Sequence, residues 1–224
     1  ELAYEEMLEL ASMGSKVMQS RAVEFAKKHN VPFVVRNSYN TNPGTMVKAE
    51  TTLEDVVVRG VACDKNQTKV VVSELPDQPG AASKVFQSLA DAGVNVDMIV
   101  QNVSAAATGR TDVTFTCPQG SVQQAMHALD SRRGTIDFES LMVDDEIAKI
   151  SLVGAGMRSH PGVSATFFTA LAEASVNVEM ISTSEIRISI VTRASEVQRA
   201  VQAIHTAFGL DADGEAVVYA GTGR

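Results

Sequence analysis

Gly80-Ala-Ala-Ser-Lys-Val-Phe-Gln-Ser-Leu-Ala-Asp-Ala-Gly-Val-Asn-Val-Asp-Met-Ile99 returns later in the chain as Gly162-Val-Ser-Ala-Thr-Phe-Phe-Thr-Ala-Leu-Ala-Glu-Ala-Ser-Val-Asn-Val-Glu-Met-Ile181. Ten of these 20 positions are identical at an offset of 82, and Asp97 against Glu179 is conservative. Pro79 and Pro161 precede the two copies. Val122-Gln-Gln-Ala-Met-His-Ala-Leu129 then matches Val197-Gln-Arg-Ala-Val-Gln-Ala-Ile204 at an offset of 75. The difference of seven residues reflects a longer loop in the first copy, around Ala105 to Arg110. Two periods are too few for a solenoid, so the chain reads as a duplicated small domain.

Each copy resolves into the same elements. In the first, Lys69–Ser73 is a β-branched strand. Pro76–Gly80 is a turn that sets a helix start. The spacing of Val85, Phe86 and Leu89 predicts a helix over Ala81–Ala92, ended by Gly93. Val94–Gln101 alternates, with Val94, Val96, Met98 and Val100 on one face. Thr111–Thr116 is a strand, Ser121–Ser131 a helix with Ser121 as N-cap, and Thr135–Val143 the last strand. The second copy runs Ile150–Val153, Val163–Ala174, Val176–Thr183, Arg187–Thr192, Glu196–Phe208 and Glu215–Tyr219. The order βαββαβ, twice, predicts an α+β fold of two ferredoxin-like domains, each a four-stranded antiparallel sheet with both helices on one face. Outside the repeat lie helices over Tyr4–Met13 and Val17–His29, a strand over Pro32–Arg36, and an extra strand over Val56–Ala62. The loop Asn37–Thr45 and an aperiodic stretch 46–55, read as a linker, separate them.

Composition narrows the function. Of 224 residues, 27 are acidic and 19 are Lys or Arg, giving a net charge of -8. That charge disfavours nucleic acid, whose phosphates demand basic patches. Aromatics are 5% with no Trp, which argues against base stacking. No apolar run reaches membrane-spanning length, and the acidic start is unlike a secretory signal. Cys63 and Cys117 have no metal-ligand spacing and read as free buried thiols of a cytoplasmic protein.

No catalytic set is visible. Val153-Gly-Ala-Gly-Met157 follows a strand, but Ser159 stands where a dinucleotide fingerprint needs its third glycine. His160 has no evident nucleophile or carboxylate partner and reads as a turn histidine. Asp144-Asp145-Glu146 reads as a solvated link, and Met98, Met126, Met142 and Met180 as core filler. Binding signals are better. The Asp77–Gly80 and Ser159–Gly162 turns both lead into helices, whose free N–H groups suit a carboxylate. The following strands carry Asn95, Asp97 and Gln101, or Asn177, Glu179 and Thr183, whose acids and amides can take an ammonium group. Together they suit a zwitterionic amino acid. The plainer roles are turn closure by Asn95 and Asn177 and helix capping by Asp77.

Gln101-Asn-Val-Ser104, Thr111-Asp-Val-Thr-Phe-Thr-Cys-Pro118, Lys149-Ile-Ser-Leu-Val-Gly-Ala-Gly-Met157, Ser182-Thr-Ser-Glu-Ile186 and Ala216-Val-Val-Tyr219 together resemble the C-terminal regulatory region of the aspartokinases, in family order. The repeats resemble tandem ACT domains. Upstream, Tyr4-Glu-Glu-Met-Leu-Glu-Leu-Ala11, Gly14-Ser-Lys-Val17, Arg21-Ala22 and Val35-Arg-Asn37 through Pro43-Gly-Thr45 resemble the tail of the family's kinase domain. Gln19-Ser20 depart from the family's His-Pro. The resemblance implies a division into a kinase tail (1–48), a linker plus strand joining the second ACT sheet (49–67), ACT domain 1 (68–146) and ACT domain 2 (147–224). The first domain is then inserted into the second.

The same resemblance implies function. A whole aspartokinase makes 4-phospho-L-aspartate from ATP and L-aspartate with Mg, opening lysine, threonine and methionine synthesis. Because the Lys-Phe-Gly-Gly phosphate motif is missing, this chain alone is expected to be catalytically inactive and to bind no cofactor or metal. Lys16 and Val17 would be a remnant of the nucleotide site. Two chains would pair through their ACT domains, beside a catalytic subunit or domain. Threonine would be held by Asp77, Gly80, Ala82 and Gln101 with the partner's Asn177 and the partner's Val178. Asp97, His160, Ser182, Thr183 and Glu185 would suit lysine. An ACT-type sensor of another amino-acid pathway enzyme is the alternative.

Overall fold

The structure is a computed structural model; it describes residues 1–49, 57–102, 108–158 and 160–211. The N-terminal segment comprises β1 (Leu2–Ala3), α1 (Tyr4–Ser12), α2 (Ser20–Lys28), β2 (Phe33–Val35) and β3 (Thr45–Lys48), with sheet order β1-β3-β2. Tyr4, Met7, Val23 and Val47 form its small core. The aperiodic stretch from 46 is therefore not all linker: Met46 to Lys48 belong to β3, and Val47 is fully buried. Four residues are too few for alternation to show.

The first repeat follows after β4 (Gly60–Asp64). It comprises β5 (Gln67–Pro76), α3 (Ala81–Asp91), β6 (Ile99–Gln101), β7 (Arg110–Pro118), α4 (Val122–Asp130), α5 (Arg133–Ile136) and β8 (Ser140–Asp144). The second comprises β9 (Ile147–Val153), α6 (Val163–Glu173), β10 (Met180–Ser184), β11 (Arg187–Arg193) and α7 (Val197–Ala207). The sheets are β6-β7-β5-β8 and β10-β11-β9-β4, with every pairing antiparallel. In the second sheet β4 takes the place that β8 holds in the first. Cys63 faces Ile150 and Gly60 faces Val153, so the first repeat is inserted between two neighbouring strands of the second sheet. The expected strand over Glu215–Tyr219 lies outside the described residues.

Periodicity located the cores. Val85 and Leu89 of α3 pack with Val70, Val72, Val113 and Phe115. Phe167 and Leu171 of α6 pack with Ile150, Leu152, Ile190 and Ile204. Several boundaries differ from expectation. Val94 and Met98 are buried as the alternation requires, but only Ile99–Gln101 joins the ladder. Ser121 makes no side-chain cap; a 3-10 turn over Gln119–Ser121 leads into α4 instead. Thr135 and Ile136 belong to the short helix α5, and Asp137 turns the chain at φ +64 before β8 begins at Ser140. Met142 is 52% exposed and is not core filler.

The two repeats meet through an apolar patch of Met98, Ile147, Met180 and Val191. Two reciprocal ion pairs flank it: Lys149 on β9 engages Asp97, and Lys69 on β5 engages Glu179. Lys69 also lies 3.3 Å from Asp144, and Arg193 reaches both Asp144 (2.8 Å) and Glu179 (2.7 Å). Asp144 is thus a bridging acid rather than a solvated link. Burial pushes its carboxyl up, but the Glu146 N–H, Lys69 and Arg193 together hold it below the usual carboxylate range.

The N-terminal segment is fastened to the second repeat by a buried carboxylate. Glu6, 1% exposed, accepts from Arg59 Nε (3.2 Å), from the Ala155 N–H (3.0 Å) and from the Ala3 N–H that starts its own helix (2.9 Å). Three donors, one of them a guanidinium, compensate a charge that would otherwise be very costly to bury.

The ion pairs between repeats make a prediction. The Lys149 side chain is 3% exposed and that of Asp97 34%. Removing the carboxylate leaves a buried ammonium without its anion, which costs about 3–5 kcal/mol when both groups are buried. With Asp97 partly solvated, we expect Asp97→Asn to cost about 2 kcal/mol in urea unfolding, and Lys149→Met, which removes the charge itself, distinctly less. Equal losses in the two variants would contradict this assignment.

Candidate functional site

Helix α6 opens on Gly162, whose φ is +108, and α3 opens on Gly80 at φ +93. A Cβ at either would meet nothing within 4 Å. The requirement is the left-handed backbone, which glycine adopts without strain. A side chain at Gly80 would therefore strain the turn before it obstructed a ligand. Burial, not capping, holds α6. Phe167 and Leu171 are buried, each contributing about 1.5–3 kcal/mol, whereas a capping side chain contributes about 1 kcal/mol. The helix can start on a residue that brings no cap, leaving first-turn N–H groups without an intrahelical acceptor and with partial positive charge.

A cleft of about 780 Å³ opens at this helix start. His160, Ser164, Thr183, Ser184 and Glu185 give it polar walls, and Val163 and Ile188 apolar ones. The geometry follows from local sequence. β10 ends at Ser184 and β11 begins at Arg187, so a two-residue tip carries Glu185 to the rim. The 3-10 turn Ala155–Arg158 precedes the facing wall, where His160 Nδ1 lies 2.8 Å from the Gly156 carbonyl. The uncapped N–H groups suit a carboxylate, Glu185 an ammonium, and the hydroxyls a polar side chain. The arrangement fits a small zwitterion better than a large apolar ligand.

The residues marked from sequence divide between places. His160, Thr183 and Glu185 come together in this cleft. Ser182 pairs with Ser189 in the sheet and is not part of the lining. Asp97 lies elsewhere, engaged by Lys149 between the repeats. Gly80, Ala82 and Gln101 occupy, at the repeat offset of 82, the positions of Gly162, Ser164 and Thr183. Gln101 ends β6 opposite Val113, and its side chain belongs to an exposed residue. Asp77 is exposed in the turn leaving β5, where its N–H donates to the Gly109 carbonyl (2.8 Å). The Val103–Ser104 part of the recognised motif lies outside the described residues. Asn177 and Val178 sit on the segment from α6 to β10. The Asn177 carbonyl accepts from Thr192 Oγ1 (2.7 Å), and Val178 packs against the second core.

Lys16, at φ +54, lines a separate cleft of about 460 Å³ with Gly14, Asp64, Lys65 and Gln119. Val17 is 58% exposed and stands outside that lining. Burial pushes the thiols of Cys63 and Cys117 up, and both are free. Among the described residues no group of three or more His, Cys, Asp or Glu could hold a metal ion, and no helix is long and apolar enough to cross a membrane. Sequence reading missed Ile188 and Ser184 in the lining and the α1 acids behind it. Glu6 and Glu9 look like a solvated helix face, and only the fold reveals what they touch.

A family model described as the ACT domain matches residues 69–132 and 150–208. The aspartokinase of Mycolicibacterium smegmatis is 52% identical over 226 aligned residues, covering 100% of this chain and 54% of that protein. A crystal structure of aspartokinase alpha and beta subunits contains a chain 43% identical, with a TM-score of 0.63, covering 68% of this chain and 99% of that one. The regulatory subunit of aspartate kinase from Thermus thermophilus is 41% identical, with a TM-score of 0.64 and the same coverage, 68% and 99%. The chain spans about half the length of the curated relatives it matches. Repeated sheet, inserted domain and these likenesses agree, and the chain belongs to the aspartokinase family, as a regulatory region built from two ACT domains.

Proposed function

We propose that this chain senses free amino acids for an aspartokinase, the whole enzyme converting L-aspartate and ATP, with Mg, to 4-phospho-L-aspartate. The observation that supports the reading is the α6 cleft, which gathers around a helix start three of the residues that the family resemblance assigns to a lysine site, His160, Thr183 and Glu185. Lysine suits this cleft, because Glu185 supplies a charge for an ammonium group. Threonine suits the equivalent place in the first repeat. There Gln101 replaces Thr183 and the acid Asp77 lies in the approach turn, with Asn177 of the partner subunit and Val178 of the partner subunit closing the site. Binding energy spent on one arrangement of the domains then becomes feedback inhibition by coupling.

Calorimetric titration with L-threonine and L-lysine tests this. Losing a hydrogen bond to a charged group costs roughly 1.5–3 kcal/mol. We therefore expect Glu185→Gln to weaken lysine binding, and Gln101→Ala threonine binding, each about 10- to 100-fold. Unchanged affinity in both variants would show that the sites are wrongly placed.

The threonine site on this reading requires a homodimer. Ile99 on β6 and Ile181 on β10 are equivalent edge-strand positions, 51% and 49% exposed, and open edges are normally paired or covered. Sedimentation equilibrium should give a dimer that Ile99→Asp with Ile181→Asp dissociates. A concentration-independent monomer with threonine present would overturn the pairing.

A further inference from the structure

Both walls of the α6 cleft are tied to α1, although no residue of α1 lines the cleft. One wall continues from the 3-10 turn Ala155–Arg158, whose first N–H donates to Glu6 Oε1 at 3.0 Å. The other is the β10–β11 tip. Arg187, the first residue of β11, donates through Nη1 to Glu9 Oε2 at 3.1 Å and lies 3.4 Å from Met13 Sδ. Glu6 and Glu9 are three residues apart, on one face of the helix. The two walls are themselves joined at their base, where the Gly154 N–H donates to the Ile186 carbonyl (3.0 Å). Helix α1 packs into the core of the N-terminal segment through Tyr4 and Met7. It therefore joins the cleft walls to the rest of that segment, through two carboxylates that each grip a different wall.

We propose that Glu6 and Glu9 are positioning residues that transmit occupancy of the cleft to α1 and through it to the N-terminal segment. The proposal rests on the reading of the cleft as an amino-acid site. A ligand that draws the α6 start and the Glu185 tip together turns the two walls about their hydrogen-bonded base, and with them the Ala155 N–H and the Arg187 guanidinium that hold α1. Glu6 and Glu9 sit on one rigid helix, so α1 must tilt or one grip must lengthen. Coupling of this kind is reciprocal: whatever restrains α1 alters the affinity of the cleft by the same factor.

Hydrogen exchange read by mass spectrometry on the intact chain tests this, with L-lysine and L-threonine as millimolar probes. Glu9→Gln is the informative variant, since Glu6 is deeply buried and its loss can unfold the segment. Glu5→Gln is the control, because Glu5 shares the helix but pairs with Lys27 (2.9 Å). We expect the amino acid that protects 160–164 and 183–188 also to slow exchange across Tyr4–Ser12. In Glu9→Gln that second effect should vanish, with affinity at the cleft altered about fivefold or more; Glu5→Gln should behave as the parent. Cleft protection with α1 unchanged in the parent chain would overturn the coupling and leave the amino-acid reading standing. Should neither probe protect the cleft, that reading fails, and Thr183→Trp decides the coupling by filling the cleft with an indole. Exchange in α1 must then change, and the change must disappear in Thr183→Trp with Glu9→Gln. An α1 indifferent to Thr183→Trp overturns the proposal without any ligand.

Discussion

Strand β9 is buried along all seven of its residues, and the arrangement of the chain depends on this. Ala148, Ile150 and Leu152 face the helices of their own repeat, while Ile147 turns to the first repeat. β4 and β11 occupy its two edges. A strand so enclosed ordinarily carries only apolar side chains, yet its third residue is Lys149. The ammonium can stay there because Asp97 of the first repeat meets it, and Lys69 and Glu179 repeat the exchange in the other direction. The repeats are therefore fixed by charge as well as by shape. Sliding one past the other would strand a lysine in an apolar contact.

That constraint leaves the helix starts outside the contact between the repeats. Each repeat spends its helices' apolar faces on its own core and β5 or β9 on its sister. The turns at Gly80 and Gly162 are not consumed by either contact. The duplication makes two such turns, and divergence makes them unequal. The second repeat has a two-residue tip that brings Glu185 over the cleft. The first has eight residues between β6 and β7, Asn102 to Gly109, and Gln101 in place of Thr183. One scaffold thus presents two helix starts of different polarity.

Much of this was legible in the chain. Identity between the copies gave the ferredoxin-like order, and alternation marked Val94 and Met98 as buried. Alternation reports burial rather than pairing, however, so it overstated β6. Residues 94–98 bury one face while forming few sheet bonds, among them the Asp97 N–H to the Thr116 carbonyl (2.9 Å). Short elements escaped because β3 and α5, at four residues each, are below one clear period. The partner of Asp97 stayed hidden for a different reason. An acid on a polar strand face looks the same whether it awaits a ligand's ammonium or a lysine 52 residues away. A signal was present: Lys69 and Lys149 are both lysines inside β-branched runs, near the repeat offset, as are the acids Asp97 and Glu179. Glu6 left no such trace, because its donors, Arg59 and Ala155, come from separate parts of the chain.

Whether the helix starts of the two repeats hold free amino acids is open to direct test. A crystal structure of the chain grown with saturating L-lysine and L-threonine addresses it most directly. The account predicts an amino acid in the α6 cleft, its carboxylate on the first-turn N–H groups after Gly162 and its ammonium end toward Glu185. A second molecule is predicted at the equivalent place after Gly80. Amino acids bound away from both helix starts, with the α6 cleft empty, would contradict it.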